Sequence, residues 1–339
     1  MQQRFHTWTP ESLEPFAIFV SLNVISLSHR QWICLRAVCI AISIAALAFL
    51  VHRIHAKALA AAFHTMRPGM FLAATMLFGA LFVPAALRWR VALRANGVLI
   101  RLPAAYRVSL IGHFCYTVLF GVAGGDTAKS ALYSRWQQLP LTTVLAASSL
   151  DRLLGSAGVI AFTSLAITLG ASHGNLRNWG SVSLRWPVMW LALPLVAIPV
   201  LWFWLKRSGE TSPQVRFVKS LSASAQCLVQ SPWNFLLGLS YAVAVQVALS
   251  GMLALCLAAV STGPVPWTQL AWTFPVITII SALPVTFAGL GVRDSAAIAL
   301  LGMFHVPAST AVAASLLAAA INLIWAAIGA VLLWRESIR

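Results

Sequence analysis

Seven acidic residues occur in this chain of 339, and three of them, Asp126, Asp151 and Asp294, stand within or at the edge of strongly apolar stretches. Each has a cation close by: Lys129 three positions after Asp126, Arg152 directly after Asp151, and Arg293 directly before Asp294. A charge near a bilayer centre costs about 2.5 to 3.5 kcal/mol even on a lenient insertion scale, so such groups face a bundle interior or a watery cavity. Cations gathered in such a cavity suit a lipid phosphate, and the carboxylates balance them when no anion is bound. Two of the aspartates sit in glycine-bearing stretches, Gly124-Gly125-Asp126-Thr127 and Gly289-Leu290-Gly291-Val292-Arg293-Asp294-Ser295. Glycine frees the backbone to turn and Asp is a favoured N-cap, so both stretches are expected to be turns that open a helix. A helix amino terminus attracts anions as well. Adjacent residues on a helix point about 100° apart, so Asp151 and Arg152 must find partners on other segments. Lys129 can share a face with Asp126.

The elements that must position these charges are apolar. Hydrophobic residues make up 60% of the chain and charged residues 9%, and the mean hydropathy is +0.85. Eight apolar segments follow one another: 33–51, 70–87, 108–122, 144–169, 188–205, 235–260, 270–287 and 308–334. The expected fold is therefore all-α, a polytopic membrane helical bundle. In a soluble protein the net charge of +16 would point to nucleic acid, but here the arginines fall in short loops between apolar segments. That pattern signals topology and anionic headgroups, with no nucleic-acid partner. The densest basic loop, Arg88, Arg90, Arg94, Arg101 and Arg107, is expected to face cytoplasmic lipid.

Segments 108–122 and 270–287 each run into one of the glycine-bearing stretches. If both dip in and return, 16 of the 23 Lys and Arg residues gather on the inner side, a far stronger bias than eight crossings would give. About six full crossings plus two re-entrant helical hairpins are thus expected. An internal repeat accompanies them: Pro140-Leu141-Thr142-Thr143-Val144-Leu145-Ala146-Ala147-Ser148 matches Pro307-Ala308-Ser309-Thr310-Ala311-Val312-Ala313-Ala314-Ser315 in register. In this topology the two units run in opposite directions across the membrane, an inverted repeat of the kind found in secondary transporters.

Residues 1–32 read as an amino-terminal cytoplasmic or interfacial segment, and 33–335 as a single transmembrane domain. Cys34, Cys39, Cys115, Cys227 and Cys256 lack any ligand or disulfide spacing and are expected to be small packing residues. No metal site or cofactor is expected. His113 is expected to be a satisfied interior histidine, Gln246 and Asn322 to bond between helices, and Trp89, Trp186, Trp190, Trp233, Trp267 and Trp334 to form an interfacial belt.

Three blocks carry a family likeness: Gly124-Gly125-Asp126-Thr127-Ala128-Lys129, then Leu150-Asp151-Arg152 with Gly155, then Pro284 through Gly289-Leu290-Gly291-Val292-Arg293-Asp294. In these the chain resembles the flippase-like transmembrane family typified by the membrane domain of lysylphosphatidylglycerol synthases, a bacterial group with many stand-alone members. The resemblance implies movement of a lipid between leaflets of a bacterial plasma membrane, and it marks Gly124, Gly125, Asp126, Lys129, Asp151, Arg152, Gly289, Gly291, Arg293 and Asp294 as the substrate-binding set. The family usually has Arg where Lys129 stands and Glu where Asp294 stands, and a proline commonly before the first glycine pair is replaced by Phe120-Gly121-Val122-Ala123.

The expected activity is that of a lipid translocator with membrane lipids as partners, those with an anionic phosphate headgroup foremost. No Walker sequence occurs, which leaves ion-coupled or passive transport. An enzyme is not expected, since HExxH and DxD are absent. The alternatives are an intramembrane enzyme using His113 with an aspartate, and a non-transporting subunit of a lipid biosynthetic complex. A biosynthetic enzyme partner and a homo-oligomer both stay open.

Overall fold

The computed structural model describes residues 64, 66–118, 121–172, 213–261, 271–281 and 292–338. Two of the expected crossings, 33–51 and 188–205, lie outside them, as do Pro284, Gly289 and Gly291. The amino-terminal segment 1–32 lies outside them too.

The described chain is helical: α1 Pro68–Ala80, α2 Phe82–Ala95, α3 Leu102–Val118, α4 Gly121–Gln137, α5 Leu141–Ser172, α6 Pro213–Gln230, α7 Pro232–Val260, α8 Thr273–Ser281, α9 Val292–Gly302 and α10 Ala308–Ile338. Helices suit such a sequence because each backbone donor and acceptor is satisfied within its own segment, which lipid requires. Among the described residues, 4 stretches are long and apolar enough to cross a membrane: Pro68–Ala95, Leu141–Ala166, Pro232–Val260 and Ala308–Glu336. They coincide with the expected crossings at 70–87, 144–169, 235–260 and 308–334.

The first stretch is α1 and α2 joined at Leu81, whose N–H still reaches the Leu77 carbonyl at 3.1 Å. Pro84 has no N–H to continue that ladder, which accounts for the break one turn earlier. Pro68 and Pro232 occupy the first turns of α1 and α7, where a missing donor costs nothing.

Helices α3 and α4 form a tightly packed antiparallel hairpin, with Gly112 beside Lys129 and Gly125 between Tyr116 and Gly112. Its start and finish lie at one end of the bundle, where the Tyr133 hydroxyl meets the Leu99 carbonyl at 3.5 Å. The order of two short helices followed by a long one recurs, as α3, α4 and α5 and again as α8, α9 and α10. This is the element pattern that the repeated Pro…Ala-Ala-Ser sequence marks.

Helix α7 lies across α1, α2, α5 and α10, and α10 packs closely on α3. Phe78, Phe82, Met252, Leu257, Ile277 and Ile321 are buried where these helices meet. The α3–α10 contact uses small residues: a Cβ built at Gly329 would fall 2.3 Å from the Leu110 carbonyl oxygen. Such close backbone approach is how helices associate where lipid removes any hydrophobic drive between them. A second core, with Trp89, Leu93, Tyr133 and Val144, joins α2 to the hairpin and to α5.

Candidate functional site

Asp151 lies about three turns into α5, where only 3% of its surface is exposed. Its partner comes from α2: Arg88 Nε donates to Oδ1 at 2.7 Å and Nη2 to Oδ2 at 3.3 Å. The guanidinium lies against Gly155 of α5, one turn beyond Asp151, where a Cβ would meet Arg88 Nη1 at 2.9 Å. Glycine at 155 thus leaves room for the guanidinium in this position. Lys129 of α4 approaches the same carboxylate, with Nζ 4.0 Å from Asp151 Oδ2 and 3.8 Å from Asp126 Oδ1. It also rests over the Trp89 ring, 4.4 Å from the centroid.

Arg152 points away from Asp151, as the helical geometry requires, and forms a two-pronged pair with Asp126 of α4. Nη2 donates to Oδ1 at 2.7 Å, and Nε donates to Oδ2. The Arg152 side chain is about half exposed (48%), whereas that of Arg88 is buried. One pair is therefore structural in character and the other accessible.

Arg293 of α9 enters from the second short-helix pair. Its Nε donates to Ser315 Oγ of α10 at 2.8 Å, and its Nη2 stands 3.9 Å from Asp294 Oδ1. That buried Nη2 has no hydrogen-bond partner among the described residues. A buried donor left so costs about 1–3 kcal/mol. The repeat is visible here in its chemistry: Ser315 secures α9 to α10, and the corresponding Ser148 secures α4 to α5 through Ser130 Oγ at 2.8 Å while accepting from Trp89 Nε1 at 3.2 Å.

These groups line one chamber of about 530 Å³. Arg88, Asp126, Lys129, Asp151, Arg152 and Arg293 all reach its wall, beside Tyr116, Gln246 and Asn322. The remaining wall is mostly apolar, with Phe78, Leu81, Phe82, Leu249, Met252 and Leu253, and Ser109, His113, Thr117 and Ser156 also reach it. Of the expected site residues, Asp126, Lys129, Asp151, Arg152 and Arg293 are brought together, and Gly125 joins them on the wall. Asp294 is fully buried behind Arg293, and Gly124 is buried in α4.

Several expectations need correction. Gly124, Gly125 and Asp126 do not form a turn with a capping carboxylate, since α4 already begins at Gly121 and carries no acid in its first turn. Gly125 instead lets α4 press against α3, where a Cβ would lie 2.8 Å from Tyr116 Cβ and 2.9 Å from the Gly112 oxygen. Asp294 is the third residue of α9, inside its first turn, and the glycine turn expected before it lies outside the described residues.

Arg88 is not in a lipid-facing loop; it is a buried residue of α2 and the main partner of Asp151. Nearness in sequence to Arg90 and Arg94 hid it, although its place immediately after the apolar run 70–87 was a signal. Trp89 is likewise fully buried rather than interfacial, while Trp233 and Trp334, at 69% and 65% exposed, suit a belt. Asn322 bonds its own helix at the Ala318 carbonyl, and only its backbone oxygen crosses between helices, to His113 Nε2 at 3.3 Å. His113 also stacks on Tyr116, so it is satisfied as expected. Cys256 is buried and Cys227 exposed, the latter outside the packing role expected of it.

The model of the lysylphosphatidylglycerol synthase transmembrane region matches residues 36–329, most of the chain and all of the charged chamber. The chain belongs to this family. No curated protein matches it. Membership in the lysylphosphatidylglycerol synthase transmembrane family, together with the long apolar helices, makes this a membrane protein with a lipid-related role.

Proposed function

We propose that the chain translocates a membrane lipid bearing a phosphate or other polar headgroup, which passes through the chamber while the acyl chains stay in the bilayer. One observation carries this reading: cations from α2, α4, α5 and α9 converge on one cavity whose wall is otherwise mostly apolar and which lies among helices long and apolar enough to cross a membrane. About 530 Å³ is within the range of small-molecule sites and suits a headgroup with its glycerol. Ionic groups at this depth are expensive to keep and mark substrate paths.

In the proposed cycle the pairs α3–α4 and α8–α9 are re-entrant hairpins of an inverted repeat, and they expose the chamber to each side in turn. The membrane is the bacterial plasma membrane. We propose no covalent change to the lipid, because His113, the residue an acid–base route would need, is engaged with the Asn322 carbonyl and stacked on Tyr116.

Purified protein in liposomes with fluorescent lipid in both leaflets provides the test. Accelerated loss of inner-leaflet fluorescence to an external quencher is expected for at least one phosphate-bearing lipid, and it should disappear in Asp151→Ala and Arg152→Ala. No acceleration across anionic, zwitterionic and glycolipid panels would overturn the proposal.

A further inference from the structure

Among the described residues, four cations and three carboxylates meet in or directly beside the chamber: Arg88, Lys129, Arg152 and Arg293 against Asp126, Asp151 and Asp294. By count the carboxylates balance all but one of the cations. Arg88 grips Asp151 with two nitrogens, Arg152 grips Asp126 with two, and Arg293 stands 3.9 Å from Asp294.

Lys129 hydrogen-bonds to no carboxylate among the described residues. Its Nζ, at 3.8 and 4.0 Å from Asp126 and Asp151, is beyond hydrogen-bond distance of both, and each is already engaged by an arginine. Only 7% of the residue is exposed, and its ammonium is held over Trp89. A second donor, Arg293 Nη2, is buried at the same chamber without a hydrogen-bond partner among the described residues.

We infer that the chamber selects lipids whose headgroup carries one net negative charge, a phosphodiester monoanion, over zwitterionic and dianionic headgroups. The physical reason is charge balance in a poorly solvated space. A monoanion brings the set of four cations and three carboxylates to neutrality, a zwitterion leaves the surplus on Lys129, and a phosphomonoester dianion leaves a surplus of its own. Unbalanced buried charge is strongly unfavourable, and beyond these seven groups the wall offers only uncharged side chains, mostly apolar, to offset it. That same wall, continuous with the cationic pole, suits a phosphate attached to an apolar body better than a free ion. The inference rests on the translocator reading for its lipid source.

Titration calorimetry on the full chain in detergent tests it with short-chain probes: dihexanoyl phosphatidylglycerol as monoanion, dihexanoyl phosphatidylcholine as zwitterion, dihexanoyl phosphatidic acid as dianion, and inorganic phosphate as the free ion. The monoanion should bind about tenfold or more tightly than each of the others. Lys129→Met removes the surplus charge and should erase the advantage of phosphatidylglycerol over phosphatidylcholine, while Lys129→Arg keeps it. Asp126→Asn adds a positive charge and should move the preference towards phosphatidic acid, a reversal that mere loss of structure would not produce.

Equal binding of monoanion and zwitterion by the native chain, an unchanged order in both Lys129→Met and Asp126→Asn, or inorganic phosphate binding as well as the lipid would each overturn the inference. A correct binding order with no lipid movement in liposomes would sink the translocator reading alone. Lipid movement without headgroup preference would sink this inference alone.

Discussion

Arg88 and Asp151, 63 positions apart, form a buried two-nitrogen ion pair that fastens α2 to α5 beneath the chamber floor. Neither can be removed alone without stranding the other, because the desolvation of a buried ion is offset only by its partner. Lys129 at 4.0 Å is too distant to take over the hydrogen bonds.

Arg88→Met is therefore expected to destabilise the protein by about 3–5 kcal/mol. The double variant Arg88→Met with Asp151→Leu should recover most of that loss while remaining inactive. Thermal unfolding in detergent checks this, and equal destabilisation of the single and double variants would contradict it.

Arg152 should behave in the opposite way. Its side chain is half exposed to the chamber, so its pair with Asp126 contributes less to stability than the buried Arg88–Asp151 pair. Arg152→Gln should leave the unfolding midpoint close to that of the native chain yet lower lipid movement by about tenfold or more. A large fall in the midpoint would make Arg152 a structural residue.

Gly125 tests the α3–α4 contact. Any side chain there meets the Gly112 carbonyl and the Tyr116 backbone, neither of which can rotate away. Gly125→Val should cost about 1–3 kcal/mol through forced separation of the hairpin. Gly302→Ala, where a Cβ would meet nothing within 4 Å, is the matched control and should change stability little. Similar midpoints for the two variants would show the hairpin to be loosely packed.

The hairpin also fixes sidedness. Leu99 and Gln138 are exposed at one end of the bundle, and Arg67 lies at the other, where its N–H bonds the Ala259 carbonyl at 2.8 Å. In a cysteine-free background, Cys placed at 99 or 138 should react with an impermeant maleimide from the same face, and Cys at 67 from the opposite face. Labelling of 99 and 138 from opposite faces would refute the hairpin.

Much of this arrangement was legible in the sequence because membrane constraints are severe. Long apolar runs had to be helices, and aspartates among them had to be gathered, so α5, α7, α10 and the grouping of Asp126, Lys129, Asp151, Arg152 and Arg293 followed. The divergence of Asp151 and Arg152 onto different partners also followed, from the helical angle alone. What escaped notice were features that depend on packing. Glycine beside Asp126 has the same composition whether it turns a chain or lets two helices touch, and only the neighbouring Tyr116 and Gly112 decide it. Arg88 escaped because a basic residue at the end of an apolar run has two destinations, headgroup or interior. The space left by Gly155, 67 residues later, selects the second.

The notch at Gly329 bears on how such a machine could move. Through it α10 abuts the Leu110 backbone, and one turn earlier Trp325 Nε1 reaches the Thr75 carbonyl at 2.9 Å. The last helix of the second unit is thereby stitched to the first hairpin and to α1. A swing of one half of the sequence against the other would have to break this seam.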